Sequence, residues 1–223
     1  MNWRYLRSVP WLDTRARFVA SLPLAGNLLD LGSSDGQTLR HFAELRPDVH
    51  LFAVDRAGEP DRYPARCQFH RADLERDRLP WAAASMDAIT CMHLVEHLRD
   101  LALLFQETAR LLKPGACVYF ETPHPKTVLY SSPPDTAAGT FTLNFYDDVE
   151  HQKPVSIGAL GLQARQFGLE PVKTGASRNW LFALAYLLYF FGQPSARKHT
   201  AWAHCRGWSA YLIARKPPRH QPQ

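Results

Sequence analysis

No acidic residue follows Glu170 in this 223-residue chain. The segment beyond it carries Lys173, Arg178, Arg197, Lys198, Arg206, Arg215, Lys216 and Arg219, whereas residues 1–170 hold 18 basic and 21 acidic groups. The net charge of +5 is therefore a property of the C-terminal quarter. Such asymmetry points to an anionic partner there, a phospholipid surface, nucleic acid or phosphorylated molecule, or else to a plain solvated basic tail. Cysteine is scarce. Cys67, Cys91, Cys117 and Cys205 show no C-x-x-C spacing, which argues against zinc knuckles and a disulfide framework and fits a reducing compartment. The longest apolar run, Trp180–Phe191, has 12 residues, short of the roughly twenty that span a bilayer. Met1–Arg7 lacks the apolar core and small-residue cleavage site of a signal peptide, so a cytoplasmic location is expected, with the inner face of a membrane as its variant. Neither G-x-G-x-x-G nor Tyr-x-x-x-Lys occurs, which disfavours a nicotinamide-dependent oxidoreductase. Internal repeats are absent.

What is present is organised around Leu28-Leu29-Asp30-Leu31-Gly32-Ser33-Ser34-Asp35-Gly36. Apolar residues without strict alternation predict a parallel strand covered on both faces. Gly32 and Gly36 suit a sharp turn and a close approach of ligand to backbone. The following helix, Gln37 to Leu45, would present its free N–H groups over that turn. Further strands are predicted at 50–55, 67–70, 86–92, 116–121 and 169–174, with a last one at 208–214. Helices are predicted at 12–22, 100–112 and from Ser156 to Gly168, and Lys113-Pro114-Gly115 reads as a turn. The segment 122–155 is a long, proline-rich connection, a length that in a compact domain is usually functional. Trp180–Phe191 is read first as a core-packing or dimer-forming helix and second as an interfacial one flanked by Arg178, Arg197 and Lys198.

With 46% hydrophobic and 21% charged residues, the chain reads as one domain over 1–223. The class is α/β: a Rossmann-like, seven-stranded, mostly parallel sheet with helices on both faces and an antiparallel edge from the last strands. Residues 24–122 would be the cofactor-binding core and 123–223 the acceptor side. In such sheets the ligand lies outside the carboxyl ends of the strands. Here those ends deliver the Gly turn, Asp55 about twenty residues on, Asp73, and Met92-His93.

These residues resemble the class I S-adenosylmethionine-dependent methyltransferases of the UbiG-like type. The resemblance covers roughly 24–216 and is carried by Asp30 to Gly36, Asp55, Ala72-Asp73-Leu74, Leu79-Pro80 before Met86-Asp87, Leu94-Val95-Glu96-His97-Leu98 and Leu112-Lys113-Pro114-Gly115. It implies that Asp30 with Gly32, Ser33, Ser34 and Gly36 holds the methionine end of the cofactor, Asp55 the ribose, and Asp73 with Leu74 the adenine. Arg56 and Met92 complete the expected cofactor set. Ser34 replaces the usual glycine. His93, His97 and His151 are the candidate catalytic groups, since a hydroxyl acceptor needs a base. Glu96 and His97 with His151 also resemble the E-x-x-E-H and downstream His that bind a divalent ion in small-RNA 2′-O-methyltransferases, with His93 in place of the first Glu. The expected reading is metal-free, with two alternatives: a divalent ion, or a structural part in which Glu96 and His97 only orient a helix start. The H-x-x-E-H string matches an inverted zinc-peptidase motif too, but it stands at a strand end in a methyltransferase frame. Phe145 to Pro154 resembles a segment of bacterial methyltransferases acting on polysaccharides or other cell-envelope products. The expected activity is O-methylation of a small-molecule, glycan-like or lipid-linked acceptor, with peripheral membrane contact through 180–198. The rivals are a non-catalytic cofactor-binding or interaction module and an enzyme resembling the RNA 2′-O-methyltransferases. Nucleic acid ranks lower as a partner.

Overall fold

In a computed structural model that describes residues 3–131, 143–193 and 195–218, Leu28, Leu29 and Leu31 are fully buried. They lie in β1 (Asn27–Leu31), the centre of a seven-stranded sheet. β2 (His50–Asp55) and β4 (Met86–Met92) flank it in parallel. β3 (Gln68–Arg71) extends the sheet on one side and β5 (Leu112–Pro123) on the other, again in parallel. β6 (Glu170–Ser177) and β7 (Ser209–Arg215) complete the order β3-β2-β1-β4-β5-β7-β6. β7 is antiparallel to both β5 and β6, so it alone runs against the other strands.

Alternate residues of β1 feed two cores. Leu29 and Leu31 join one with Ile89, Leu104, Phe105, Val118 and Leu160. Leu28 joins the other with Phe18, Leu39, Phe42, Ala88 and Tyr119. The first lies under α3 (Ala102–Leu111) and α4 (Ile157–Gln166), the second under α1 (Thr14–Ala20) and α2 (Gln37–Leu45). Each fully buried Leu or Phe contributes about 1.5–3 kcal/mol relative to exposure. Caps set the helix starts. Asp13 accepts from the Arg15 and Ala16 amides, and Ser156 from the Ala159 amide.

Three expectations are corrected. Lys113–Gly115 is not a separate turn. It lies inside β5 as an irregularity, because Met86 pairs with Leu112 and Ala88 with Cys117. Gly115 retains the turn-like φ of +84° there. Second, the helix expected over 12–22 is shorter, Thr14–Ala20, and the segment before it packs too: Trp3 stacks on His41 with centroids 4.9 Å apart and its amide donates to Glu44 Oε2. Third, the apolar run between β6 and β7 is not core. It forms α5 (Trp180–Tyr189), which has no buried residue and packs on α6 (Ala196–Arg206). No helix among the described residues is long and apolar enough to cross a membrane.

Candidate active site

The turn after β1 is built by backbone conformation. Gly32 has φ +75°, and a Cβ there would come within 2.9 Å of Leu94. Gly36 has φ +70°, and a Cβ would meet Tyr63 at 2.8 Å. Ser34 takes φ +49° without being glycine, which is the physical reason a glycine suits that place. Its amide donates to Asp55 Oδ2 at 2.8 Å and its carbonyl accepts from Tyr63 Oη at 2.7 Å. Asp55 Oδ1 accepts from the Ala57 amide at 2.8 Å. Each Asp55 oxygen retains a second lone pair for a ligand hydroxyl.

Gly32, Ser34, Asp55 and Ala57 border a cavity of about 450 Å³ at the carboxyl ends of the parallel strands, in the size range of cofactor sites. Of the expected cofactor residues, Gly32, Ser34, Asp55, Arg56, Asp73 and Leu74 line it. Asp30, Ser33, Gly36 and Met92 are not among its lining residues. Asp30 is buried under the turn and accepts from Thr90 Oγ1 at 2.7 Å. Burial raises its carboxyl to about 7, against the opposing bond from Thr90. Ser33 is also buried, with its hydroxyl donating to the Val54 carbonyl. Gly36 starts α2, and Met92 packs against the second core. A glycine-bounded turn beside a carboxylate with spare acceptor capacity fits an adenosyl cofactor.

A second cavity, of about 380 Å³, lies beyond the first and shares two residues with it, His93 and His97. His151, Asn144, Trp208 and Arg15 are among its other walls. His93 sits at the junction with φ +52°. Its Nδ1 lies 3.2 Å from Glu96 Oε1 and its Nε2 3.2 Å from Glu121 Oε1, and both carboxylates are fully buried. Its ring stacks on Trp208, with centroids 5.1 Å apart. Burial pushes the imidazole pKa down, but bonds to Glu121 and Glu96 outweigh it and raise it to about 9. His93 is therefore an imidazolium near neutral pH, with both nitrogens engaged.

Glu121 is the hub. Arg15 from α1 donates to both of its oxygens, with Nε at 3.0 Å from Oε2, and Tyr119 Oη donates to Oε2 at 2.6 Å. Arg15 and His93 hold this carboxyl well below its usual range despite burial. Arg15 and Glu121 escaped the sequence reading. They lie 106 residues apart, and neither belongs to a recognisable local pattern.

His97 and His151 meet across the same junction, with ring centroids 4.8 Å apart. The Gln152 amide donates to the Glu96 carbonyl at 2.8 Å, which pins the long connection onto the turn after β4. His151 stacks on the buried Phe145 and its Nδ1 lies 2.6 Å from the Phe145 carbonyl. That contact places a proton on Nδ1, while Nε2 faces the second cavity and lies 3.7 Å from Asp148 Oδ2. Among the described residues, His97 Nδ1 is buried without a hydrogen-bond partner. One ligand atom each of Glu96, His97 and His151 falls within 4.8 Å of the others, so the trio could hold a cation. His124 plays a local part instead, accepting from the Lys126 amide. His204, another wall of the second cavity, is held neutral by burial and Arg15, which lower it to about 4.

A family model described as a methyltransferase domain matches residues 3–174. An O-methyltransferase of ubiquinone biosynthesis from Thiobacillus denitrificans is 30% identical over 179 residues, 76% of this chain and 73% of that protein. The chain spans half or less of seven further curated relatives, among them 44% of a demethylmenaquinone methyltransferase from Roseiflexus that is 33% identical over 106 residues. A chain from the complex between the Haloferax volcanii Trm112 methyltransferase activator and its methyltransferase superposes with a TM-score of 0.65 at 16% identity, over 96% of this chain and 93% of that one. An S-adenosylmethionine-dependent methyltransferase from Mesorhizobium loti gives 0.61 at 19% identity, over 89% and 95%. The two structures speak for the fold; the family match and the Thiobacillus relative carry the assignment. The chain belongs to the class I S-adenosylmethionine-dependent methyltransferases, of the UbiG-like type that includes the ubiquinone-biosynthesis O-methyltransferases.

Proposed function

We propose that the protein methylates a hydroxyl oxygen of a small-molecule acceptor seated in the second cavity. The observation that carries this reading is the junction itself: both cavities border on His93 and His97, with His151 across from them. In this reading residues 24–122 supply the cofactor side and 123–223 most of the acceptor side. Asp55 and Arg56 take the ribose, Asp73 and Leu74 the adenine, and Gly32 and Ser34 the methionine end. When bound, S-adenosylmethionine supplies an electrophilic methyl group on a sulfonium leaving group.

The chain's own contribution is alignment and proton handling. Alignment of nucleophile and methyl supplies much of the acceleration in such a transfer. His151 Nε2 accepts the hydroxyl proton as the oxygen attacks, its tautomer fixed by the Phe145 carbonyl. His93 does not serve as the base, because it is already protonated. It positions the turn by tying Glu96 on its own loop to Glu121 on β5. The O-methyltransferase description of the Thiobacillus relative agrees with oxygen as the acceptor atom. A second reading places a divalent cation on Glu96, His97 and His151, where it would lower the hydroxyl's pKa.

The test is a calorimetric titration with S-adenosylmethionine and S-adenosylhomocysteine, followed by label transfer from the cofactor into a pool of hydroxylated small molecules. Micromolar binding and a base-stable, ether-linked label are expected. Label confined to amines would reject oxygen as the acceptor. Loss of turnover on chelation, restored by a divalent ion, would select the second reading.

A further inference from the structure

Helix α5 is turned the wrong way for a core helix. Trp180, Leu184, Leu187, Leu188 and Phe191 follow the i, i+4, i+7, i+8, i+11 spacing of a single helix face. That face is exposed: 73% at Leu187, 85% at Leu188 and 95% at Phe191. The other side packs on α6, where Phe182 stacks on His204 with centroids 5.5 Å apart. Contiguous apolar surface of this kind marks an interaction site.

Cations frame the stripe at both ends. At the tip of the hairpin, Lys198 Nζ donates to the Phe190 and Gly192 carbonyls beside the exposed Arg197. At its base, Arg178 lies over the Trp180 ring at 5.5 Å, and Lys126 Nζ donates to the Arg206 carbonyl at 2.8 Å. No carboxylate side chain lies in the sequence after Glu170 to offset them. A two-fold contact between copies of this chain would bring these like-charged rims together, which is unfavourable. An anionic lipid surface complements them.

We propose that the α5–α6 hairpin docks on an anionic phospholipid bilayer. The leucines and Phe191 enter the outer part of the leaflet, and Arg197, Lys198, Arg206 and Lys126 meet the phosphates. At 10 residues α5 is about 15 Å long, half of a hydrocarbon core of about 30 Å, so the hairpin lies in the interface and does not cross. α6 itself supplies His199, Thr200, Ala203 and His204 to the second cavity. Docking therefore sets that cavity one helix away from the lipid. The link to acceptor delivery, though not the docking, rests on reading that cavity as the acceptor site.

The experiment is sedimentation of the full chain with vesicles of pure phosphatidylcholine and of phosphatidylcholine containing about a third phosphatidylglycerol, at low and high salt. Wild type is expected to bind the anionic vesicles at least about tenfold more tightly than the neutral ones, with the advantage shrinking in high salt. The variant combining Leu187→Glu and Leu188→Glu is expected to lose binding while keeping its affinity for S-adenosylmethionine, which shows that it is folded. No vesicle binding by wild type, equal binding to neutral vesicles, or unchanged binding by the variant would each overturn the proposal. A dimer in lipid-free sedimentation velocity that the same variant dissolves would overturn it in favour of a second copy as the occupant. No acceptor is needed for these readings, so failure of the O-methylation proposal would leave them unaffected.

Discussion

Arg15 of α1 and Glu121 of β5 form a two-point ion pair at the floor of the second cavity, and Glu121 is fully buried. The same carboxylate receives His93 and the Tyr119 hydroxyl. The N-terminal helix is thus part of the site's charge balance. Removing one member of such a pair leaves a buried charge uncompensated, which costs about 3–5 kcal/mol. Arg15→Met is expected to lower the melting temperature by about 10 °C, at roughly 2–4 °C per kcal/mol for a chain of this size. Adding Glu121→Gln should recover part of the loss, since the orphaned charge goes with it. Thermal melts of both variants check this. Strictly additive losses would show that the pair is not coupled.

The second prediction concerns pH. His93 titrates at about 9 in the folded chain against an ordinary 6.5, so the folded state holds its proton more tightly. Its contribution to stability is fully present below about pH 6.5 and is lost as pH rises through about 9. A shift of that size is worth at most about 3 kcal/mol, or on the order of 5–10 °C in melting temperature. Asp30, raised to about 7, adds a slope of the same sign at lower pH, because the folded state again binds the extra proton. Melting curves from pH 6.5 to 9.5 should fall for wild type and flatten for His93→Gln. A wild-type curve that rises across that window would show that His93 is not held as an imidazolium.

Ser34 supplies a prediction of opposite sign. An L-residue in the left-handed region costs about 1–2 kcal/mol, and replacing it by glycine returns about 0.4–1 kcal/mol to the unfolded chain's entropy. Ser34→Gly is therefore expected to stabilise by about 0.5 kcal/mol. The bonds to Asp55 and Tyr63 use the Ser34 backbone and survive the change. Denaturant titration should show a higher midpoint with an unchanged slope, and cofactor affinity should not fall.

How much of this was legible in the sequence depends on range. The sequence predicts β2, β4 and α2 at their observed bounds and a buried strand at Leu28–Leu31 within β1, because buried runs and helix periodicity are local signals. The left-handed turn residues were legible for the same reason. The ion pair was not, since nothing near Arg15 announces Glu121. Asp30 entered the cofactor set through the family resemblance, and its hydrogen bond from Thr90 under the turn is a long-range contact that no local pattern announces. The run Trp180–Phe191 was read first as core or dimer helix, and the core reading fails because apolarity says that a face wants cover and not which body supplies it. The structure packs α5 on α6 and leaves its leucine stripe open.

The His97–His151 pair offers the sharpest kinetic test. If His151 Nε2 takes the acceptor proton, His151→Ala removes an interaction made in the transition state, and kcat should fall about 10²–10⁴-fold with KM little changed. Added imidazole should restore part of the rate in that variant, because truncating the ring opens space beside Phe145. His97→Ala should behave differently. His97 lines both cavities, and its buried Nδ1 has no hydrogen-bond partner among the described residues, so a bound ligand is the natural partner and KM should rise along with any loss in kcat. Cofactor affinity by calorimetry should stay within a few-fold of wild type for His151→Ala, since His151 lines the second cavity and not the first. Equal losses in cofactor affinity and turnover for His151→Ala would place that residue in cofactor binding and remove it as the base.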